Sequence, residues 1–379
     1  MSYFLTEEHE LMRQIAREFA ANEVAPVTRQ LDEAHEFPWE LVKRCAELNF
    51  LGVSIPEEYG GAGADCLSEC VVIEEIAREN GSLALIIDAH TSLGCMPLLF
   101  EGTEEQKRKY LVPAAKGEKL LSFGLTEPGA GSDAGASKTT AVLDGEEWVI
   151  NGSKCWITNI GAADVYIITA KTDPEKGNRG ISAFIIEKGT PGFEIGKPER
   201  KMGLHSSYTG ELFFKDCRIP KENLLGKQNK GFPLFLKGLD EGRIAISAMA
   251  VGMAQGALDK SVVYAKERVQ FGRPIAQFQA IAFYLAEMAT KIEVARTMLY
   301  RVARMRDEGL NYSKEAAMLK LYSSEMCCWV CDKAVQIHGG NGYSAQFDVE
   351  RFMRDAKLLT IGEGTSEICK LVISSQVLA

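Results

Sequence analysis

The hydrophobic pattern of the chain changes its period twice. Up to about residue 120, and again from about residue 231, apolar residues recur at the three- and four-residue spacing of amphipathic helices. Between these stretches, short apolar runs alternate with turn signals, including a predicted hairpin around Asp144-Gly145. The sequence therefore predicts an α+β multidomain fold with an N-terminal all-α domain (1–120), a small middle β-barrel or sandwich domain (121–230) and a C-terminal four-helix bundle (231–379).

Three long helices are predicted in the last of these domains, over about 232–268, 278–308 and 314–338. Because short loops join them, we expect them to pack as an antiparallel bundle. In the first domain, Leu11, Ile15 and Phe19 are expected to share one apolar face of the opening helix.

Charge and cysteine usage exclude several classes of protein. The net charge is -9 and no basic run offsets it, which argues against nucleic acid as a partner. Ten cysteines are scattered without the spacing of a disulfide framework, and a lone CxxC at Cys328 and Cys331 lies in an apolar helical pattern. Buried thiols in a reducing compartment are the expectation. With no targeting segment and no apolar run near the ~18 residues of a membrane span, the chain is expected to be cytoplasmic.

A glycine-rich loop at 125–133 follows a strand-like run and, with Ala134, fits the loose pattern G-x-G-x-x-A. A dinucleotide-binding Rossmann site is rejected, since a polar and then strand-like segment follows where that site needs a helix. Backbone N–H groups and the hydroxyls of Thr126 and Ser132 are suited to the polar edge of a cofactor. A plain β-turn is the alternative.

Trp156 and Thr158 are expected on one face of a strand, because side chains two residues apart point the same way. An aromatic plane with a hydrogen-bonding rim suits a flavin, and a core tryptophan is the alternative. Segments 268–274 and 336–343 end two long helices with glycines beside polar or cationic side chains. Both are compatible with ordinary helix C-caps, although the second is richer in glycine than a cap requires.

Glu363 stands between Gly362 and Gly364, after one amphipathic helix and before another. Glycine favours a tight turn there, and Ser366 is the predicted N-cap of the closing helix. A solvated glutamate in an ordinary turn is the alternative.

Six of these segments, in order, resemble the acyl-CoA dehydrogenase family along essentially the whole chain: 59–61, 125–133, 156–159, 268–272, 336–343 and 363–365. The resemblance implies non-covalent FAD, a homotetramer (a dimer of dimers) and α,β-dehydrogenation of a short- or medium-chain acyl-CoA. It also implies an electron-transfer flavoprotein as electron acceptor.

By the same resemblance, Glu363 is the base for the weakly acidic α-proton of the thioester, and its backbone N–H helps to bind the thioester oxygen. The implied FAD contacts are Leu125, Thr126, Trp156 and Thr158 at the flavin ring, Arg268, Phe271, Gln279, Gln336 and Gly340 at the diphosphate and adenosine part, and Thr365 and Glu367 nearby. The implied substrate contacts are Ser132, Asp240 and Arg243 at the pantetheine, with Gly364 and Asp88.

Some branches of the family place the base in the long bundle helix, directly before the arginine that matches Arg243. Here that position is Gly242, and Glu241 lies one step earlier, rotated by roughly 100°. Glu363 is therefore the predicted base, with Glu241 as a minor candidate.

Two departures concern the acyl group. Gly362 stands where short- and medium-chain members often have tyrosine, which should enlarge the pocket. Asp88 lies in a helix that, by resemblance, lines the acyl tail, where an unpaired carboxylate is costly. Either His90, Thr91 or a neighbouring helix satisfies Asp88, or the acyl group is bulky, cyclic or polar and Asp88 touches it or acts as a second base.

Three further functions remain open on the sequence. The enzyme could run in reverse as an enoyl-CoA reductase. An acyl-CoA oxidase is a second possibility, although oxidases usually resemble this fold with an extra C-terminal region. A non-catalytic scaffold that binds flavin and CoA esters is the third.

Overall fold

The computed structural model describes residues 4–379. The first part is helical, and three π-helical stretches (Ala20–Val24, Ala89–Cys95 and Lys107–Leu111) continue its helices without a break. The helices are α1 (Glu7–Phe19), α2 (Ala25–Ala34), α3 (Trp39–Glu47), α4 (Cys66–Ala77), α5 (Gly81–Asp88), α6 (Met96–Glu101), α7 (Glu104–Gln106) and α8 (Val112–Ala115).

Helix α1 begins at a capping box formed by Thr6 and His9. The predicted apolar face of this helix is wrong. Its buried residues are His9, Ala16 and Phe19, whereas Leu11 is 60% exposed and Ile15 38% exposed. Each step of four residues turns a helix by about 40° beyond a full turn, so Leu11 lies about 80° away from Phe19.

One helical stretch, Gly81–Glu101, has the length and apolar composition of a membrane span, with a mean hydropathy of 1.6 in its most apolar window. This corrects the expectation that no apolar run in the chain approaches that length. Within the fold, 89% of the window is buried, as in a core helix that is apolar on all sides.

The middle part forms a mixed sheet in the order β6-β7-β3-β2-β4-β5-β8, with β1 parallel to β4. The predicted hairpin is confirmed, since Asp144 pairs with Glu147 across the β2–β3 turn. The strands are β1 (Leu121–Gly124), β2 (Thr140–Asp144), β3 (Glu147–Thr158), β4 (Val165–Lys171), β5 (Ile181–Glu187), β6 (Phe193–Ile195), β7 (Thr209–Pro220) and β8 (Leu224–Leu225).

Long helices return after the sheet, and the three predicted ones are confirmed to within one residue at each end. The elements are α9 (Gly231–Glu267), a short ribbon of β9 (Val269–Gln270) and β10 (Arg273–Pro274), α10 (Gln279–Asp307), α11 (Ser313–His338), α12 (Val349–Leu359) and α13 (Ser366–Val377). The expected architecture of helices, sheet and helical bundle is therefore present.

The closing helix is capped one residue earlier than predicted. Thr365 has the extended ψ of 163° that a cap needs, and its hydroxyl accepts from the N–H of Ile368. Ser366 is already the first helical residue and is buried. The sequence offers two adjacent hydroxyl residues here, and only the backbone conformation distinguishes them.

Helices α4 and α9 approach each other closely through glycine. A Cβ added at Gly252 in α9 would lie 2.1 Å from the carbonyl oxygen of Glu74 in α4, whereas one added at Gly238 would lie 3.7 Å from its nearest neighbours. The first position therefore has no room for a side chain and the second has.

We expect Gly252→Ala to lower the free energy of unfolding by about 1–3 kcal/mol, because the added methyl group overpacks the contact between the two helices. Gly238→Ala, in the same helix, should leave stability unchanged or raise it by up to about 1 kcal/mol, since alanine is the better helix former. Urea unfolding followed by circular dichroism measures both. Equal effects of the two substitutions would contradict the close approach.

Candidate active site

Glu363 lies in the turn between α12 and α13, in a left-handed backbone conformation. Its φ is +54°, and that of Gly364 is +100°. A non-glycine residue in this region costs roughly 1–2 kcal/mol, so surrounding contacts must hold it there. One of them crosses the turn, where the N–H of Ser366 donates to the carbonyl of Thr360 (3.1 Å).

A buried lysine in α11 holds the same turn. Nζ of Lys320 donates to the carbonyl oxygen of Gly364 (2.5 Å), and the lysine has no solvent exposure. Sequence reasoning missed this residue. The available signal was that Lys320 continues the buried stripe of Ala316, Ser323 and Cys327 at helical spacing, where a lysine needs a partner.

The carboxyl group of Glu363 occupies the space that a side chain at position 242 would need. A Cβ added at Gly242 would lie 2.3 Å from Oε2 of Glu363 and 2.9 Å from a methyl carbon of Leu93. Part of the glutamate is exposed, but Oε2 itself is buried. The missing side chain at Gly242 thus makes the site for this carboxyl.

Asp88 lies against Glu363. Its carboxyl group is fully buried, contacts that of Glu363, and accepts at Oδ1 from the hydroxyl of Ser92. The expected partners His90 and Thr91 are wrong. His90 bonds the backbone of Ala114 and Leu121, and Thr91 bonds Glu69 and the backbone of Ile87. Ser92 lies four residues after Asp88, a spacing that places two side chains on the same face of a helix.

Two cations lie near the two carboxyl groups. Burial raises the pKa of Glu363, whereas contact with Asp88 and the charges of Lys320 and Arg243 lower it, and burial dominates. Burial, and next the charge of Glu363, raise the pKa of Asp88 well above its usual value. Arg243 is itself paired with Asp240 (Nη1 to Oδ1, 2.6 Å) and borders the turn, since a Cβ at Gly364 would lie 3.5 Å from its Nη2.

Glu241, the minor candidate, is engaged elsewhere. Nε of Arg306 donates to Oε2 (3.1 Å), and the hydroxyl of Tyr312 donates to Oε1 (2.6 Å). Both carboxyl oxygens therefore have partners within the helical core. Glu363, by contrast, has an oxygen without one.

A second group of predicted residues meets at the edge of the sheet. Trp156 has a φ of +60° at a bulge in β3, and its side chain is 63% exposed. Thr158 is half-buried on the same outer side, whereas Ile157 between them is buried. The carbonyl of Thr126 accepts from the N–H of Cys155 (2.9 Å), which brings the loop beside the bulge.

A buried ion pair fixes that loop. Nζ of Lys154 donates to Oε1 of Glu127 (2.8 Å), to the carbonyl of Leu125 (3.2 Å) and to the hydroxyl of Thr169 (3.0 Å). Burial would raise the pKa of Glu127, but the charge of Lys154 and the backbone N–H of Lys138 lower it. No role was predicted for Lys154 or Glu127, although Glu127 lies within the segment 125–133 and Lys154 lies two residues before the segment 156–159.

Most of the remaining predicted cofactor residues lie at exposed positions. The ends of α9 and α11 meet, because the hydroxyl of Tyr264 donates to the carbonyl of His338 (3.3 Å) and accepts from the amide of Asn341 (2.9 Å). Thr365 and Glu367 begin α13, beside Glu363. The exposed predicted residues at the bundle end and in the glycine-rich loop are Arg268, Phe271, Gln279, Gln336, Gly340 and Ser132.

Comparison with known proteins covers nearly the whole chain. Three family models match: acyl-CoA dehydrogenase N-terminal domain over residues 6–118, middle domain over 122–217 and C-terminal domain over 229–378. The short-chain specific acyl-CoA dehydrogenase of Clostridium acetobutylicum is 51% identical over 378 residues, which is 100% of both chains.

Two further relatives are named for different activities. Subunit CarC of the caffeyl-CoA reductase–Etf complex of Acetobacterium woodii is 46% identical over 376 residues, 99% of each chain. The solved structure of butyryl-CoA dehydrogenase from Megasphaera elsdenii is 43% identical, with a TM-score of 0.98 and 100% of both chains covered.

We expect Lys154→Met to lower the free energy of unfolding by about 3–5 kcal/mol, because it leaves the buried charge of Glu127 unpaired. The double variant Lys154→Met/Glu127→Gln should lose less than the sum of the single effects. Arg218→Met is a matched control on β7. Its ion pair with Asp144 is 48% and 63% exposed at the two side chains, so about 0–1 kcal/mol is expected. Chemical unfolding measures these three variants and the single variant Glu127→Gln, and strict additivity would argue against the pair.

Proposed function

Because the chain belongs to the acyl-CoA dehydrogenase family, we propose that it interconverts an acyl-CoA and its trans-2-enoyl-CoA, with Glu363 as the base for the α-proton. The chain is an oxidoreductase of acyl-CoA thioesters. One observation carries the finer proposal: the carboxyl of Glu363 is held on a left-handed turn, with a buried oxygen against Gly242.

FAD is the proposed cofactor. The residues present fit a large planar ligand, since the Trp156 indole is uncovered and a Cβ at Gly129 or Gly131 in the adjacent loop would meet nothing within 4 Å. Leu125, Thr126, Trp156 and Thr158 would hold the ring. When bound, the flavin supplies a two-electron acceptor for the hydride from the β-carbon.

Glu363 would take the α-proton on a carboxylate oxygen. Removal of this proton places negative charge on the thioester oxygen, which needs donors already in position. No backbone carbonyl among residues 4–379 accepts the N–H of Glu363, so this group is free to donate to that oxygen. Arg243 and Asp240, on the adjacent face of α9, are proposed to bind the pantetheine, with Ser132 in the exposed loop.

The acyl group is proposed to be short or medium in length, with branched and cyclic groups included. A Cβ at Gly362 would have its nearest neighbours, atoms of Leu358, at 3.7 Å, so the position does not fill the pocket. The direction depends on the redox partner, and the relative from Acetobacterium woodii is named a reductase. In the reverse direction the same carboxyl group of Glu363 would return the proton to the α-carbon.

An electron-transfer flavoprotein is the proposed electron carrier, since the same relative belongs to an Etf complex. A homotetramer, as a dimer of dimers, is proposed on the uncovered apolar side chains near the bundle end. Phe271 is 93% and Tyr343 91% exposed, in the two segments proposed to bind the distal part of FAD partly across a subunit boundary.

Anaerobic titration with saturated acyl-CoAs, from butyryl through octanoyl to branched and cyclohexane-ring esters, tests the function. We expect the flavin absorbance to bleach, and Glu363→Gln to slow bleaching by about 10²–10⁴-fold, because it removes the general base. Glu241→Gln is the matched control and should retain bleaching within about tenfold.

Other outcomes distinguish the alternatives. Equal loss in both variants would contradict the assignment of the base to Glu363. Rapid reoxidation by oxygen without any carrier would indicate an oxidase. No bleaching by any ester, but oxidation of the reduced flavin by an enoyl-CoA, would indicate a reductase, and neither reaction would leave a flavin-binding scaffold.

A second prediction concerns pH. Glu363 acts while ionised, so the rate of flavin reduction should fall as pH drops through its pKa, which burial raises. Lys320→Met removes a charge that lowers this pKa, so the acidic limb of the pH profile should move to higher pH by about one unit. At pH values below the limb, the rate of flavin reduction should then be about tenfold lower than in the wild type. Lys370→Met, at a 58% exposed lysine of α13, should leave the limb in place. Anaerobic stopped-flow measurements across pH test both, and an unmoved limb in Lys320→Met would contradict the role of its charge.

A further inference from the structure

Two buried carboxyl groups in contact leave two oxygens without a donor. Oδ2 of Asp88 and Oε2 of Glu363 are both buried, and neither has a hydrogen-bond partner among the described residues while the two groups are ionised. The groups nevertheless contact each other. Only Oδ1 of Asp88 has a donor, the hydroxyl of Ser92.

Two ionised carboxylates cannot satisfy this arrangement. A carboxylate only accepts hydrogen bonds, and like charges in contact repel, so one of two adjacent carboxyl groups retains its proton. A single proton shared between the two carboxyl groups replaces the repulsion by a hydrogen bond. The contact between the buried groups therefore favours one acid and one carboxylate.

The surrounding charges decide which group keeps the proton. Lys320 from α11 and Arg243 from α9 act on Glu363 and favour its ionised form. Asp88 instead faces Glu363 and, from α4, Glu69, and both raise its pKa. Its only donor is the neutral hydroxyl of Ser92. Positive charge thus stabilises an ionised Glu363, and negative charge stabilises a neutral Asp88.

We propose that Asp88 is a positioning residue for the base, which remains protonated at neutral pH and donates its proton to Glu363. The inference rests on the proposed function, in which Glu363 takes the α-proton. One glutamate oxygen is then held by Asp88, and the other is left for the substrate. During the reaction the α C–H bond breaks and an O–H bond forms on Glu363, the electron pair of the C–H bond stays on the α-carbon and the thioester carbonyl, and the proton of Asp88 stays on Asp88.

The hydrogen bond from Asp88 offsets the effect of burial on the ionisation of Glu363. In a site without water, burial favours the neutral acid of Glu363, which cannot accept a proton. A donor on Glu363 favours its carboxylate, as a water molecule would in solution. Asp88 provides that donor without adding a second negative charge.

Infrared difference spectra of the flavin-loaded protein without any CoA ester test where the proton lies. We expect a carboxylic acid C=O band at neutral pH that Asp88→Asn removes and Glu363→Gln retains. Loss of the band in Glu363→Gln alone would place the proton on Glu363, and its absence from the wild type would mean two carboxylates. Either result overturns the proposal, whether or not the protein turns over an acyl-CoA.

The pH dependence of flavin reduction by an acyl-CoA supplies the second test. Asp88→Asn keeps an N–H donor, so the acidic limb of the pH profile should stay in place. Asp88→Leu removes the donor, so the limb should move to higher pH, with about a tenfold loss on its acid side for a shift of one unit. An ionised Asp88 predicts the opposite direction, because removing a negative charge would lower the pKa of Glu363.

Glu69→Gln is the control for a general effect of buried charge. Glu69 acts on Asp88 through its charge but bonds Ser54 and Thr91 rather than Glu363. Its substitution should leave both the infrared band of Asp88 and the acidic limb in place. A limb that moves to lower pH in Asp88→Leu, or that does not move, overturns the proposal.

Discussion

The hydrogen bond from Lys320 to the carbonyl of Gly364 joins the helical bundle to the turn that carries Glu363. A glutamate in a left-handed conformation needs its neighbours fixed, and a buried ammonium group needs an acceptor. The hydrogen bond from Lys320 fixes the turn, and the carbonyl of Gly364 is the acceptor that the buried ammonium group needs. The same lysine places a positive charge near the carboxyl of Glu363, so one contact sets both the position and the charge of the proposed base.

A second buried lysine fixes the part of the site at the edge of the sheet. Lys154 lies beneath the bulge at Trp156 and binds Glu127 and the carbonyl of Leu125. A glycine-rich loop has little conformational preference of its own, so the buried ion pair rather than local propensity determines its place. Both halves of the site therefore depend on lysines that have no solvent exposure, and neither lysine needs to touch a ligand.

The sequence predicted the elements well, because hydrophobic period and turn residues are local properties. The hairpin at Asp144-Gly145 and the three long helices are examples. It failed where tertiary contacts decide. The buried face of α1 centres on His9 and Ala16 because α4 packs there, and the carboxyl of Asp88 lies against that of Glu363 from the distant turn after α12. The contact of Asp88 with Glu363 spans most of the chain length, and periodicity contains no information about such a pair.

A side chain at position 242 and the carboxyl group of Glu363 would occupy the same space in the site. By the family resemblance, a base can stand either at position 242 or in the turn at 363. In this chain a Cβ at 242 would lie 2.3 Å from Oε2 of Glu363, much closer than a Cβ approaches a non-bonded atom. A side chain at 242 would therefore have to displace the carboxyl of Glu363 from the contacts that hold it. The glycine is thus as much a part of the proposed site as the glutamate, and its presence in the sequence is a physical reason to place the base at 363.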